Sequence, residues 1–305
     1  MKCWCGNANL LPWGDGYQQC AECQTLVADN PSAHGDPRVT DESTNLYGRD
    51  YWFKHQTTDL NCPDIVTRSR SDLAERAIHW LRSLLQFKLP PATVLEIGCA
   101  HGGFVAMLNQ AGYQARGLEL SPWVVRFASQ TFGVEVLTGP IEDQTLVDGS
   151  LDVILMMDVM EHLPDPVRTF QQCSRLLKPD GLLLVQTPEY PQGKSLEDLH
   201  GHQFPRMLDP GEHLFLFSQE SAAKILRQVG LSHIQFVPAI FGFYDMCFVA
   251  GMRPIQTHAV ADREAALMRT VPGRMLQALL DADARRLDLL EKHRALLRAN
   301  PAKGD

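Results

Sequence analysis

The central part of the chain alternates short apolar runs with amphipathic stretches of helical periodicity. From Thr93 onward the apolar runs are TVLEIG, QARGLEL, VEVLTG, LDVILMMDVM and LLLVQTP, and each predicts a buried strand. The stretches between them predict crossover helices. Buried strands connected in this way predict an α/β fold with a doubly wound, mostly parallel sheet. The later segment HIQFVPAIFGFYDMCFVAG predicts a final antiparallel pair of strands.

The segment before this sheet predicts a helical connector. RSDLAERAIHWLRSLLQFKLP has the pattern of an amphipathic helix, with Ser71 as its cap and two prolines as its end. Upstream, Tyr47, Tyr51, Trp52 and His55 are spaced to share one helix face. That face either packs on the main domain or closes over a ligand.

The C-terminal segment predicts an amphipathic helix after a break at Pro272 and Gly273. Leucines at 276, 280, 287, 290 and 297 recur at helical spacing among mixed charges. The stripe needs a partner, which is either the body of the protein, a second copy in a homodimer, or another protein. The final PAKGD is expected to fray.

These patterns divide the chain into four parts. Residues 1–45 are expected to form a metal-binding knuckle and linker, and residues 46–90 a helical lid or connector. Residues 91–253 are expected to form the ligand-binding sheet domain, and residues 254–305 the terminal helix and tail.

Composition and charge narrow the partners. The chain has 305 residues, 45% of them hydrophobic, and a formal charge of -8, so no general attraction to nucleic acid or anionic lipid is expected. Its apolar stretches are shorter than the roughly 18 residues of a membrane span, and the start lacks the apolar core of a signal peptide. We therefore expect a cytoplasmic protein with a small-molecule or protein partner.

Four of the eight cysteines lie near the start, as Cys3, Cys5, Cys20 and Cys23. Two close pairs separated by a short loop are typical of a tetrahedral Zn²⁺ site, which replaces the core that so short a segment cannot build. One alternative is a pair of disulfides, which a reducing compartment disfavours. The other is a redox-active C-x-x-C, but that would leave Cys3 and Cys5 unexplained. We interpret the cluster as structural zinc.

The sequence VLEIGCAHGG follows the first strand of the sheet with glycines at its carboxyl end. Ligands of doubly wound sheets bind at that end. Gly98, Ala100 and Gly103 nearly fit the dinucleotide pattern, whereas Glu96, Gly98 and Gly102 fit the looser pattern of S-adenosylmethionine sites. Glu119, which ends the second strand, could bind ribose hydroxyls in either case.

Four segments in order, VLEIGCAHGG, GLELSPW, SLDVILMMDVMEHLPDP and LLKPDGLLLVQTP, together resemble class I S-adenosylmethionine-dependent methyltransferases, which have a Rossmann-like fold. The resemblance implies that Glu96, Gly98 and Gly102 hold the amino acid end of the donor and that Glu119 binds its ribose. The remaining residues that it implies for the cofactor site are Cys99 and Ala100 in the loop, Leu120, Pro140 and Ile141 around the adenine, and Asp158 on the methionine and substrate side.

The segment DPGEHLFLFSQES contains the candidate catalytic residues Glu212 and His213, followed by Ser218 as the expected cap of the next helix. It partly resembles the Glu-His segment of nucleotide-sugar C-methyltransferases, which also carry an N-terminal cysteine-rich zinc domain. The resemblance implies that Glu212 and His213 activate the acceptor, whereas His162 belongs to the scaffold. The alternative is that the His213 segment only packs under the sheet edge.

The sequence is compatible with three functions. The first is a methyltransferase acting on a small polar acceptor, such as a sugar or glycan precursor that is linked to a nucleotide. The second is an oxidoreductase that binds NAD. The third is a scaffold without catalysis that binds a protein partner.

Overall fold

The fold is that of a computed structural model, which describes residues 2–30 and 35–299, with the side chains of 297–299 excepted. The expected fraying of PAKGD lies outside the described residues. The strands are β1 (Leu10–Gly14), β2 (Tyr17–Cys20), β3 (Leu26–Ala28), β4 (Thr93–Ile97), β5 (Gln114–Glu119), β6 (Val136–Thr138), β7 (Leu151–Met157), β8 (Leu177–Pro188), β9 (Phe215–Leu216), β10 (His233–Val237) and β11 (Asp245–Gly251).

The helices are α1 (Gln56–Thr58), α2 (Ile65–Asp72), α3 (Ile78–Leu85), α4 (Gly103–Ala111), α5 (Pro122–Phe132), α6 (Pro166–Leu176), α7 (Gln219–Gln228), α8 (Val260–Leu267) and α9 (Val271–Ala299). Single π-helical turns at Tyr51–His55 and Leu73–Ala77 precede α1 and α3. Among the described residues, no helix combines the length and apolar character that crossing a membrane requires.

The central sheet has seven strands in the order β10-β11-β8-β7-β4-β5-β6. The five strands from β8 to β6 are parallel, and β11 and β10 are antiparallel additions at one edge. Successive residues of β7 pack on opposite faces: Ile154 joins one core, and Val153 and Leu155 join the other. The predicted α/β, doubly wound, mostly parallel sheet is therefore confirmed, with its final antiparallel pair.

A second sheet connects the two ends of the sequence, in the order β1-β2-β3-β9. In it, β3 pairs antiparallel with β9, so that Val27 lies opposite Phe215. Tyr17 and Leu26 are buried there with Phe204 and Leu216. The cysteine-rich segment is thus packed on the main domain through a strand that lies directly after His213.

The connector differs from its sequence pattern in two details. Its long helix is capped by Asp64, whose side chain accepts a hydrogen bond from the N–H of Thr67, so Ser71 is not the cap. Ser71 lies inside the helix and donates to the carbonyl of Thr67 at 3.2 Å. Tyr47 lies outside the helical turns with a φ of 67°, so the expected helix face begins only at Tyr51. The helix thus begins earlier than the pattern indicated, because Asp is as good an N-cap residue as Ser.

Helix α9 begins at Val271, so the break in the C-terminal segment falls just before the predicted Pro272. Leu276 and Leu280 are buried in the core that contains α3 and α4. Farther along, Leu287 and Leu290 are exposed. The body of the protein is therefore the partner of the first half of the helix. A homodimer or protein contact through the second half stays a prediction, as do the four segment boundaries.

Candidate functional site

A cavity of about 1200 Å³ opens at the carboxyl ends of β4, β5 and β7. Both candidate catalytic residues, Glu212 and His213, line it. So do nine of the residues expected at the cofactor: Glu96, Gly98, Cys99, Ala100, Glu119, Leu120, Pro140, Ile141 and Asp158. Gly102, the remaining one, is not among the lining residues. The position of the cavity agrees with the general rule for doubly wound sheets.

The glycines of the loop are required by the protein itself. Gly98 has a φ of +71°, and a Cβ there would lie 2.5 Å from Cγ2 of Val159. Gly102 has a φ of +77°, and its Cβ would lie 2.9 Å from that of Ala128. An L side chain is strained at such φ values. Gly102 therefore starts α4 and lets it approach α5, and its expected contact with the amino acid end of the donor stays a prediction.

Glu119 fixes the shape of the loop. Its carboxylate accepts a hydrogen bond from the N–H of Ala100 at 3.0 Å and from that of Leu120 at 2.7 Å. Burial raises its pKa, which these backbone donors oppose. A carboxylate has about four acceptor positions, so Glu119 retains capacity for two ligand hydroxyls. This arrangement suits a ribose.

Two residues that line the cavity each contain a buried polar atom without a protein partner among the described residues. These atoms are Oε2 of Glu96 and the indole Nε1 of Trp52. Burial and the nearby Glu119 raise the pKa of Glu96 well above its usual value. Buried polar groups are nearly always paired in folded proteins. An acid and an N–H donor without partners fit the ammonium and carboxylate of a bound amino acid.

The connector contacts the segment that contains the candidate catalytic residues Glu212 and His213. Tyr47 Oη is 2.8 Å from Nδ1 of His162, and the phenol of Tyr51 donates to Glu212 at 3.3 Å. His55 Nε2 lies 2.5 Å from the other oxygen of Glu212. The aromatic face of the connector thus packs on the domain and covers the cavity at the same time.

Glu212 and His213 are adjacent, but their side chains diverge. The carboxylate of Glu212 is held by His55 and Tyr51, as described above. The Nδ1 of His213 lies 2.6 Å from the carbonyl oxygen of Met207. Because a carbonyl can only accept, Nδ1 carries the proton and Nε2 keeps a free lone pair. In this tautomer, Nε2 of His213 can accept a proton, as a general base requires.

The backbone of His213 is fixed by the N-terminal sheet. Its carbonyl accepts a hydrogen bond from the phenol of Tyr17 at 2.8 Å, and the next carbonyl, of Leu214, accepts from Ala28 at 2.9 Å. Tyr17 is buried, and burial raises the pKa of its phenol. The cysteine-rich segment therefore positions a residue of the cavity.

Glu161, His162 and His213 form a compact group. One ligand atom from each lies within 4.8 Å of the others, so the group could share a proton or hold one divalent ion. Burial raises the pKa of Glu161 to about 7 and lowers that of both histidines. His162, which sequence reasoning assigned to the scaffold, thus lies beside the candidate base.

Asp158 directly follows β7 and has a φ of 57°. Its carboxylate pairs with Arg76 at 2.7 Å and accepts from Gln186 at 2.9 Å. Gln186 in turn accepts from the indole of Trp80 at 3.1 Å. Asp158 is therefore held in place, with its charge balanced by an arginine from the connector.

The four cysteines converge as predicted. Cys3 and Cys23 have sulfurs 3.4 Å apart, and Cys5 and Cys20 have sulfurs 3.6 Å apart. Thiolates placed tetrahedrally at about 2.3 Å from Zn²⁺ are roughly 3.8 Å apart, whereas a disulfide bond is about 2.05 Å long. The donor set and its spacing fit zinc.

Several residues of the site carry no local signal in the sequence. Arg76 belongs to an ordinary helical pattern, and Tyr17 precedes His213 by 196 positions. The sequence predicts Trp52 on the aromatic helix face but does not mark it as a donor to a ligand. Nothing in the sequence around Glu161 distinguishes it from the scaffold. The pairing of β3 with β9, which brings Tyr17 to His213, has no local signature.

The fold and the cavity together define the class I methyltransferase fold, with its ligand cavity at the carboxyl edge of a Rossmann-like sheet. A sequence model described as a methyltransferase domain matches residues 69–235. The chain belongs to this methyltransferase domain family.

Individual relatives extend the comparison. The ubiquinone biosynthesis O-methyltransferase of Xanthomonas campestris pv. campestris (strain B100) is 30% identical over 132 residues, 41% of this chain and 55% of that protein. The same enzyme of Xanthomonas axonopodis pv. citri (strain 306) is 31% identical over 149 residues, 46% and 62% of the two chains. The chain thus spans little more than half the length of the first of these relatives.

Solved structures with a similar fold include the following one. It is phosphoethanolamine N-methyltransferase 2 of Haemonchus contortus, determined with phosphomonomethylethanolamine and S-adenosylhomocysteine. It is 16% identical with a TM-score of 0.50, covering 68% of this chain and 60% of that one.

Proposed function

We propose that the protein is an S-adenosylmethionine-dependent methyltransferase that acts on a small polar acceptor, with a sugar or glycan precursor as the first candidate. The observation that carries the proposal is the donor end of the cavity. There the glycine loop, Glu119, and the unpaired atoms of Glu96 and Trp52 surround one space.

Each of these groups has a chemical counterpart in the donor. Glu119 would accept from the two ribose hydroxyls, and Glu96 would receive the ammonium. The indole of Trp52 would donate to the carboxylate, with Arg68 beside it, whose guanidinium lies 5.5 Å from the indole ring. Charge-assisted hydrogen bonds of this type are stronger than neutral ones.

The bound donor supplies a methyl group on a positively charged sulfur. Transfer is an in-line displacement, so the chain mainly aligns the two reactants and, for a hydroxyl or an acidic carbon, removes a proton. Nε2 of His213 would take that proton. The imidazolium formed would be stabilised by Glu161 nearby.

Two further observations bear on the chemical class of the acceptor. The partial Glu-His resemblance favours a nucleotide-linked sugar, whereas the name of the Xanthomonas relatives states transfer to oxygen. The cavity, at about 1200 Å³, is larger than the 300–1,000 Å³ of an ordinary ligand pocket, so it has room for both reactants. Both acceptor classes therefore belong in one screen.

Calorimetric titration with S-adenosylhomocysteine, with NAD run in parallel, tests the proposal. We expect micromolar binding of S-adenosylhomocysteine alone. Binding of NAD alone would replace the proposal with the oxidoreductase alternative, and binding of neither ligand would favour the scaffold without catalysis. Glu135→Ala removes an exposed acid beside β6 and serves as the control with unchanged affinity.

We also propose that Cys3, Cys5, Cys20 and Cys23 bind one structural Zn²⁺. Metal analysis of the purified protein is expected to find one zinc per chain, and Cys23→Ser is expected to lose most of it. Cys62→Ser, at an exposed cysteine outside the cluster, is expected to keep it. Zinc retained in full by Cys23→Ser would contradict the assignment.

A further inference from the structure

Asp245 is a buried acid on the acceptor side of the cavity whose carboxyl group has no hydrogen-bond partner among the described residues. It is the first residue of β11, lies opposite Pro188 of β8, and is 6% exposed. Its side chain lines the cavity. No hydrogen bond to its carboxyl group is found among the described residues, although its backbone N–H donates to Phe241 at 2.9 Å.

Three other acids at this end of the cavity are paired. Asp158 has Arg76 and Gln186, and Glu212 has His55 and Tyr51, as described above. Glu161 accepts a hydrogen bond from the hydroxyl of Thr187 at 2.9 Å. Asp245 differs from them because it lines the cavity with a carboxyl group that no described residue bonds, which points to a ligand in the cavity.

The surroundings of Asp245 favour its uncharged form. Burial, followed by the negative charges of Asp158 and Glu161, raises its pKa to about 9, and only Arg76 opposes this. Arg76 is itself engaged by Asp158 and by the ring of Phe241, which is 4.8 Å from the guanidinium. The phenol of Tyr244 and the thiol of Cys247, which also face Asp245, each have a pKa raised to about 12 and are uncharged at neutral pH.

We propose that Asp245 determines acceptor specificity by donating a hydrogen bond, as a neutral carboxyl, to an oxygen of the acceptor. The inference rests on the proposed methyltransferase function and names its substrate class: acceptors with a hydroxyl or carbonyl oxygen at or next to the methylated atom. An ammonium group has no lone pair and cannot accept such a bond.

The bond would be most valuable during the reaction. Nε2 of His213 takes the proton of the acceptor, whose electron pair then forms the bond to the methyl carbon. The bond between methyl and sulfur breaks, and its electron pair stays on sulfur. Negative charge builds on the acceptor oxygen as the proton leaves. A fixed neutral acid stabilises such charge better than water does, because it needs no reorganisation.

Aromatic rings flank the same place. Phe241 and Tyr244 stack at 5.6 Å between ring centres, and both line the cavity. They offer a flat apolar wall beside a single polar group. An acceptor with a ring that carries oxygen substituents, whether a sugar or an aromatic, fits this combination.

Two variants of Asp245 test the inference. Asp245→Asn keeps the shape and an N–H donor, whereas Asp245→Ala removes the donor. Asp152→Asn is the matched control, because this acid lies at the opposite end of the sheet, where it accepts from Thr93 and Lys178. Each protein is titrated with S-adenosylhomocysteine. Each is then assayed for methyl transfer to nucleoside diphosphate sugars, a dihydroxybenzoate, and a nucleoside diphosphate amino sugar.

We expect about a 100-fold loss of kcat/KM with oxygen acceptors in Asp245→Ala and less than about a 10-fold loss in Asp245→Asn. The Kd for S-adenosylhomocysteine should stay within about 2-fold in both. Unchanged turnover in Asp245→Ala would overturn the inference. So would transfer to the amine alone with both variants equally impaired, since that pattern indicates an ionised Asp245.

Infrared difference spectroscopy provides a test that needs no acceptor. The spectrum of the wild type minus that of Asp245→Asn at pH 7 is expected to contain the carbonyl band of an un-ionised carboxyl. A carboxylate band in its place would overturn the inference. Failure of the wild type to bind S-adenosylhomocysteine would instead count against the methyltransferase function itself, so the two failures are distinguishable.

Discussion

The two ends of the cavity are built in opposite ways. The donor end is largely local, because Glu96, the glycine loop and Glu119 fall within 24 consecutive residues and follow two adjacent parallel strands. The acceptor end combines residues that are far apart in the sequence. His213 is held by Tyr17, Glu212 by His55, and Asp245 comes from the antiparallel edge.

This difference predicts that the two ends can be damaged separately. A change at the donor end should alter ligand affinity, and one at the acceptor end should alter turnover at constant donor affinity. Distant sites without shared contacts usually contribute additively.

His213→Ala is expected to lower kcat by about 1000-fold, since a positioned base contributes roughly 10²–10⁴-fold. Affinity for S-adenosylhomocysteine should be unchanged. Turnover and calorimetry on the same preparation check this, with His233→Ala, at an exposed histidine of β10, as the control. An unimpaired rate would return His213 to a packing role.

Glu119→Ala is expected to weaken S-adenosylhomocysteine binding by about 100-fold, because it removes two charge-assisted hydrogen bonds and loosens the loop at Ala100. Zinc content should not change, since the four cysteines belong to the N-terminal segment and not to the sheet that contains Glu119. Calorimetry and metal analysis measure the two quantities. Loss of both together would mean that Glu119 is needed for folding rather than for recognition.

Tyr17→Phe is expected to lower kcat by about 10-fold, because His213 loses the hydrogen bond to its carbonyl and small displacements in a site are costly. Tyr113→Phe is a close control: its phenol also donates to a backbone carbonyl, that of Lys88 at 2.6 Å, away from the cavity. Both variants should lose stability, but only Tyr17→Phe should lose turnover. Equal turnover in the two variants would mean that the hydrogen bond from the N-terminal sheet to His213 does not affect catalysis.

Asp245→Asn is expected to gain stability relative to the wild type as the pH rises. The pKa of Asp245 is raised in the folded protein, to about 9, so its favourable contribution is complete below the unfolded value and is lost as the pH rises toward 9. Asparagine does not ionise, so its Tm should exceed that of the wild type by about 2 °C or more at pH 8 and converge with it near pH 4. Parallel melting curves over this range would contradict the raised pKa.

Asp283→Ala should affect neither end of the cavity. Asp283 pairs with Arg82 at 2.5 Å and with Arg286 at 2.7 Å, and it fastens α9 to α3. Because Arg82 is 28% exposed, the pair is partly screened and its loss should cost about 1 kcal/mol of unfolding free energy. Asp288→Ala breaks a fully surface pair with Lys292 and should cost less. A change in turnover in Asp283→Ala would contradict this expectation and mean that α9 influences the residues of the cavity.

The contrast between the local donor end and the long-range acceptor end also explains which features could be predicted from the sequence. The sheet and the donor loop follow from periodicity and from glycines at a strand end, and these signals lie within a few residues of each other. The order of β8, β11 and β10 and the pairing of β3 with β9 depend on contacts that span the chain, so His213 could be noticed while its partners could not. The connector helix begins at Asp64 rather than at Ser71 because both residue types are good N-caps, so residue type alone does not decide where the helix starts. The cytoplasmic location and the identity of the acceptor stay predictions.

The pairing of β3 with β9 also bears on the order of folding. The contact from Tyr17 to His213 joins residues 196 positions apart, and closing so long a loop costs much entropy before any contact repays it. The donor end needs no such closure. We therefore expect a folding intermediate in which the glycine loop already binds nucleosides while the N-terminal sheet is still open. In newly made chains, affinity for the donor would then precede competence to transfer its methyl group.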